Sequence, residues 1–126
     1  MQEVKPVKDP DHQTPVPTDW RPIFEGIVRA FSTGEYFIKR DLLQVKPISD
    51  DTAKQVKGYL ENYGEKLVEI NQAAWNTSVS LWTEGYWEVL VDLWTAESGP
   101  SDLVLSARVF EEDGSFCIEV MGVYVP

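Results

Sequence analysis

The spacing of apolar positions changes once along this chain, near Gly64. Before it they recur at helical intervals; after it they alternate. Trp20, Phe24, Ile27 and Phe31, widened by Ile23 and Val28, form the stripe of a first helix. Thr18 or Asp19 suits its N-cap, Pro22 falls where a missing N–H costs least, and Gly34 fits a left-handed end. Ser49 opens a second helix. Asp50 and Asp51 oppose its positive end, Ala53, Val56, Leu60 and Tyr63 form its buried line, and Gly64 closes it. Between the two, Phe37, Ile38, Leu42, Leu43 and Val45 fit a short helix and then an extended segment before Pro47.

Beyond Gly64 the chain reads as strands. Residues 66–70 suit a short one. Trp75, Thr77, Val79 and Leu81 then alternate with Asn76, Ser78, Ser80 and Trp82, a strand with one polar side. Glu84-Gly85 is a tight reversal into residues 87–94, the stretch around which the rest is organised. There Trp87, Val89, Val91 and Leu93 make one wholly apolar face, while Glu88, Leu90, Asp92 and Trp94 make the other. That mixture marks the centre of a sheet with its back on a core and its front open. A looser turn at 97–100 leads to residues 103–110, and Asp113-Gly114 is the strongest hairpin signal in the chain. Residues 116–125 form the last strand, with a bulge expected at Gly122, where the alternation slips. Helices first and a strand meander afterwards give an α+β fold: N-terminal helices packed on one face of a curved, four- to five-stranded antiparallel sheet. Residues 1–18, with Pro6, Pro10, Pro15 and Pro17 and no apolar period, read as a disordered tail, leaving 19–126 as a single domain.

Charge alters this picture more than composition does. The net charge is −10 over 126 residues, which argues against a sequence-independent grip on nucleic acid. It is uneven: residues 1–65 hold 9 Lys/Arg and 11 Asp/Glu, residues 66–126 hold 2 and 10. The sheet half therefore carries most of the negative field, which speeds encounter with a basic partner or simply keeps the protein soluble. A lone Cys117 excludes an internal disulfide, and no apolar run suits a signal peptide or a membrane span; a cytoplasmic protein is the expectation.

Candidate chemistry is sparse. Cys117 has no histidine to activate it, since His12 lies in the tail. Glu88 and Asp92 share a strand face but stand roughly 13 Å apart at about 3.3 Å per residue, wider than the about 5–9.5 Å of glycosidase carboxylate pairs. Arg108 is expected to answer one of them as a cross-strand ion pair. One histidine and one cysteine make no zinc set, Glu111-Glu112-Asp113-Gly114 lacks the spaced ligands of a calcium loop, and no glycine-rich phosphate loop occurs, so no metal or cofactor is expected. What remains is the front of the sheet, where Trp82, Glu88, Asp92, Trp94, Asp102, Arg108 and Glu119, with Ser78 and Ser80, form an aromatic and acidic surface. Trp and Arg dominate interface energetics, so a protein partner, a second copy of the chain and plain solvated surface are the three readings.

The three long strands at 87–94, 103–109 and 116–125 after a helical half resemble the NTF2-like and cystatin-like folds. That resemblance implies a curled sheet and, in its ligand-binding form, a pocket enclosed by Trp20, Phe24, Tyr59, Tyr63, Trp75 and Trp87, with weak hydrolase or isomerase activity. NTF2-like enzymes carry an Asp/His or Asp/Tyr pair there; this chain has no histidine outside the tail. The run from Trp87 to Thr95, with Ser101-Asp102-Leu103 and the closing Val123-Tyr124-Val125-Pro126, also looks like a family of small uncharacterised bacterial proteins. Small acidic proteins of that kind include immunity proteins, which implies a non-enzymatic inhibitor of a basic toxin.

Overall fold

A computed structural model describes residues 3–38 and 44–126; the short helix expected around Leu42 and Leu43 falls outside them. A 3-10 turn at Thr18–Trp20 leads into α1, Arg21–Ser32, with Pro22 in its first turn. Neither Thr18 nor Asp19 caps α1 through its side chain. The Thr18 hydroxyl is engaged elsewhere, accepting from the Val4 amide at 2.7 Å. α2, Asp50–Tyr63, begins as expected: Ser49 Oγ accepts from the Thr52 N–H at 3.2 Å, and Gly64 ends the helix at φ 79°.

α3, Gln72–Thr77, stands where the alternation suggested the start of a strand. Local hydrogen bonds decide this. Asn71 Oδ1 accepts from the Ala74 amide at 2.9 Å, and the Ser78 hydroxyl donates to the Ala74 carbonyl at 2.8 Å, so both ends of one helical turn are satisfied by side chains. Trp75 is thereby a helix residue packed on Phe24, not a strand residue.

The sheet comprises β1 Thr14–Pro15, β2 Val79–Thr83, β3 Tyr86–Thr95, β4 Gly99–Glu112 and β5 Ser115–Tyr124. The strands lie in chain order, each pair antiparallel, which puts β3 at the centre. Asp113 and Gly114 have φ of 51° and 81°; both central residues of the β4–β5 turn are left-handed, as the tightest hairpins require. The bulge expected at Gly122 is there, as a register slip between β4 and β5. Trp87, Val89, Val91 and Leu93 of β3, with Leu103, Leu105, Ala107 and Val109 of β4, face inward onto Phe24, Ile27, Val28 and Phe31 of α1 and Ala53, Val56 and Leu60 of α2. The architecture is α+β, with helices packed on an open antiparallel sheet.

Residues 3–17 are not a free tail. They form a looped strap with a turn at 10–12: the Thr18 amide donates to the Val4 carbonyl at 2.9 Å and so closes the loop, Trp87 Nε1 donates to the Val7 carbonyl at 2.9 Å, and Val16 is fully buried. Prolines that forbid a helix still allow this course. The backbone and Val16 find partners there that composition alone does not reveal.

Each edge of the sheet is covered in part. Thr14–Pro15 pairs with Val79 and Ser80 on one side, and Pro15 has no N–H to offer a further strand. On the other, the Lys46 amide donates to the Ile118 carbonyl at 2.8 Å and the Ile118 amide to the Gln44 carbonyl at 2.7 Å. Farther along β5, Gln55 of α2 takes over: Nε2 donates to the Val123 carbonyl at 2.7 Å, and Oε1 accepts from the Val123 amide at 3.1 Å.

Instead of a strand at 66–70, the chain meets β3 at a bridge from Leu67 to Thr95. Glu65 secures it, one carboxylate oxygen accepting from Thr95 Oγ1 at 2.6 Å and Ser98 Oγ at 2.7 Å. These bonds, Thr95's first, hold the Glu65 carboxyl below its usual range. A depressed folded value means that the contribution is present above the unfolded value, about pH 4.3, and is lost as pH falls through the folded one. The stability difference between wild type and Glu65→Gln is therefore expected to shrink on acidification from about pH 6 to about pH 3. Urea unfolding at a series of pH values checks this; a difference constant with pH contradicts it.

Candidate functional site: the open face of the sheet

Among the described residues α1 and α2 both pack on the inner face of the sheet, and α3 borders the outer face only at its Asp92–Trp94 end. Cross-strand register arranges that outer face in rows. One runs Leu81, Glu88, Arg108, Glu119; the next runs Val79, Leu90, Ser106, Gly122; on the hairpin side Tyr86 faces Phe110, which faces Cys117. Leu81, Val79, Leu90, Tyr86 and Phe110 are each half-buried with no helix above them, while Glu88 is exposed. The surface thus alternates, its acidic row crossing between two largely apolar ones.

Three of the expected residues, Glu88, Arg108 and Glu119, come together as direct neighbours on adjacent strands. The expected ion pair does not form. Arg108 instead lies over the Tyr86 ring, its guanidinium carbon 4.8 Å from the centroid. A guanidinium flanked by two carboxylates on an exposed strand gains little from either, whereas the ring offers a flat, less hydrated surface. Asp92 and Trp94 lie farther along β3. With Ala73 and Thr77 of α3 and Pro100 and Ser101 of β4 they line a cleft of about 420 Å³, and the Trp94 ring covers Gly99. Asp102 is exposed where the β3–β4 pairing slips between Asp92 and Trp94.

Trp82, Ser78 and Ser80 do not belong to the outer face, contrary to expectation. Trp82 pairs directly with Trp87 and Ser80 with Val89, so both face the helix side, and Ser80 is buried there with no partner for its hydroxyl among the described residues. Ser78 is buried at the end of α3, accepting from the Asp92 amide at 2.9 Å. The apolar Val79 and Leu81, not the serines, face outward. Opposed residues of an antiparallel pair share a face, and the Glu84-Gly85 loop fixes which ones are opposed.

Other expectations can be placed. Trp20, Phe24, Trp75 and Trp87 do not ring a cavity; they fill the core, with Trp20 and Trp87 edge to face at 5.3 Å. Tyr59 and Tyr63 line a shallow surface depression with Asn62. Cys117 lies on the outer row, and burial, the largest cause, raises its thiol above the usual range, away from the thiolate a nucleophile needs. Among the described residues no His, Cys, Asp or Glu group gathers in a metal-binding set, and no helix is long and apolar enough to cross a membrane.

The matched sequence runs from the last residues of α1 through α2, α3 and the strands β2 to β5. The chain belongs to the DUF7668 family, described as a domain of unknown function, whose profile matches residues 28–126. No curated protein and no solved structure matches the chain. All four strands of the long meander, β2 to β5, lie within the DUF7668 match, and the strap precedes it.

Proposed function

We propose that this DUF7668 chain is a non-enzymatic binding module that docks a positively charged protein partner on the outer face of its sheet. The observation that carries the reading is an outer sheet face on which half-buried Val79, Leu81, Leu90 and Phe110 are interleaved with the carboxylates of Glu88, Asp92, Asp102 and Glu119. Half-buried apolar side chains give this face surface to bury against a partner, and the sign of the interleaved charges selects a basic occupant. An immunity-type inhibitor of a basic toxin is the partner relation this polarity fits, in the cytoplasm, where a lone cysteine needs no oxidising conditions. The order of helices and then meander supports the resemblance to NTF2-like and cystatin-like folds, but a core filled by Trp20, Phe24, Trp75 and Trp87 does not support their ligand-binding form.

The test uses the purified protein as bait against host extract, beside a Glu88→Lys, Asp92→Lys, Glu119→Lys variant. A basic partner retained by wild type, released by salt and lost at least about ten-fold on charge reversal is expected. Equal retention by both removes the proposal. A second copy is the other occupant that the face admits, because Arg108 between two carboxylates is self-complementary across a two-fold axis. Sedimentation over a range of concentrations separates the two: a fixed monomer mass removes the homodimer.

A further inference from the structure

The geometry points to a second binding site on the opposite side of the sheet: an aromatic cage for the ammonium group of a partner's lysine, filled here by the chain's own Lys8. Trp82 and Trp87 face each other across β2 and β3 with ring centroids 4.6 Å apart and planes at 61°, a corner rather than a stack. Lys8 Nζ sits in that corner, 5.2 Å from the Trp82 ring centroid and 5.9 Å from that of Trp87. Glu111 Oε1 lies 3.1 Å from the same nitrogen. A cation within about 6 Å of two indole rings, with a carboxylate beside it, is the arrangement that recognises lysine and its methylated forms.

Two further observations separate a binding site from a mere cover over Trp87. A cleft of about 480 Å³ opens beside Lys8, bounded by Trp87, Phe116, Glu111 and strap residues Lys5 and Pro6, so a second side chain has an approach. The occupant is also free to exchange. The Lys8 side chain is 56% exposed, while the strap is fastened by backbone bonds, Val4 with Thr18 and Val7 with Trp87 Nε1. The ammonium can leave without the strap coming off. Trp82, Trp87, Glu111 and Phe116 lie inside the DUF7668 match, whereas Lys8 precedes it. Lys8 is then a tethered competitor: it lowers the apparent affinity of an outside lysine by the fraction of time the cage is filled.

The test needs no natural partner. Nα-acetyl-lysine N-methylamide is titrated into full-length wild type and into Lys8→Ala, with the norleucine analogue as the neutral probe, while the five indole N–H signals are followed by NMR. In Lys8→Ala the lysine probe is expected to shift the Trp82 and Trp87 signals selectively, at a concentration about ten-fold below that needed in wild type. Adding Glu111→Gln to Lys8→Ala weakens the response, and adding Trp82→Ala abolishes it. An equal response to the norleucine probe, equal titrations of wild type and Lys8→Ala, or shifts spread over all five indoles would each overturn the proposal. Because the cage and the outer face lie on opposite sides of the sheet, this result stands or falls apart from that of the charge-reversal variant.

Discussion

Replacing Trp87 with alanine is expected to lower the unfolding free energy by about 3–5 kcal/mol, the range for a large buried aromatic. The side chain is 1% exposed and meets Trp20, Trp82 and Phe116 with ring centroids between 4.6 and 5.9 Å. Its indole N–H is also the partner of the Val7 carbonyl, so truncation loosens the strap as well as opening a cavity. Trp87→Phe separates the two effects: most of the packing stays, and the loss should fall to about 1–3 kcal/mol. Guanidinium unfolding measures both. A loss below about 1 kcal/mol for Trp87→Ala, outside the usual cost of such a truncation, would mean that this cluster is not the centre of the core.

A second large effect is expected where α2 meets β5. A Cβ added at Gly122 would stand 2.7 Å from Gln55 Oε1 and 3.3 Å from its Cδ, at a φ of 154°. The glutamine tip could swing aside, but it is pinned by two hydrogen bonds to Val123, a fully buried residue. Gly122→Ala therefore removes the same two bonds as Gln55→Ala, and each change is expected to cost about 1–3 kcal/mol. The double variant should cost less than the two together by about 1 kcal/mol or more, because the second change has no bond left to break. Strict additivity in denaturant unfolding would show that the glutamine and the bulge do not act as a unit.

Much of this fold is legible in the chain because its signals are local. Ser49 with Gly64 brackets α2, Asp113-Gly114 makes its hairpin, and β3 alternates as expected around the central position. Trp82 shows what alternation alone misses. Residues 75–82 alternate with one polar side, and solvent is the natural place for serines. Yet a two-residue loop at Glu84-Gly85 leaves Thr83 opposite Tyr86, which obliges Trp82 to join Trp87 on the oily side. Register, set by the loop, outweighs the polarity of two serines. The site shows the same division: the row of Glu88, Arg108 and Glu119 follows from strand parity. The preference of Arg108 for the Tyr86 ring and the seat of Lys8 depend on side chains brought from elsewhere, in the second case from about 74 positions away, beyond the reach of periodic patterns.

The partly covered margins of the sheet have a consequence for how this protein associates. A broad, half-greasy layer of strands with free borders invites lateral growth, one chain templating the next into fibres. Here a two-residue strand ending in proline covers part of one border, while a neighbouring segment and a helix glutamine cover part of the other. Lateral addition of another chain's strand is thereby hindered, which leaves the broad faces of the layer, the proposed docking surface among them, as the places where a second molecule can be met.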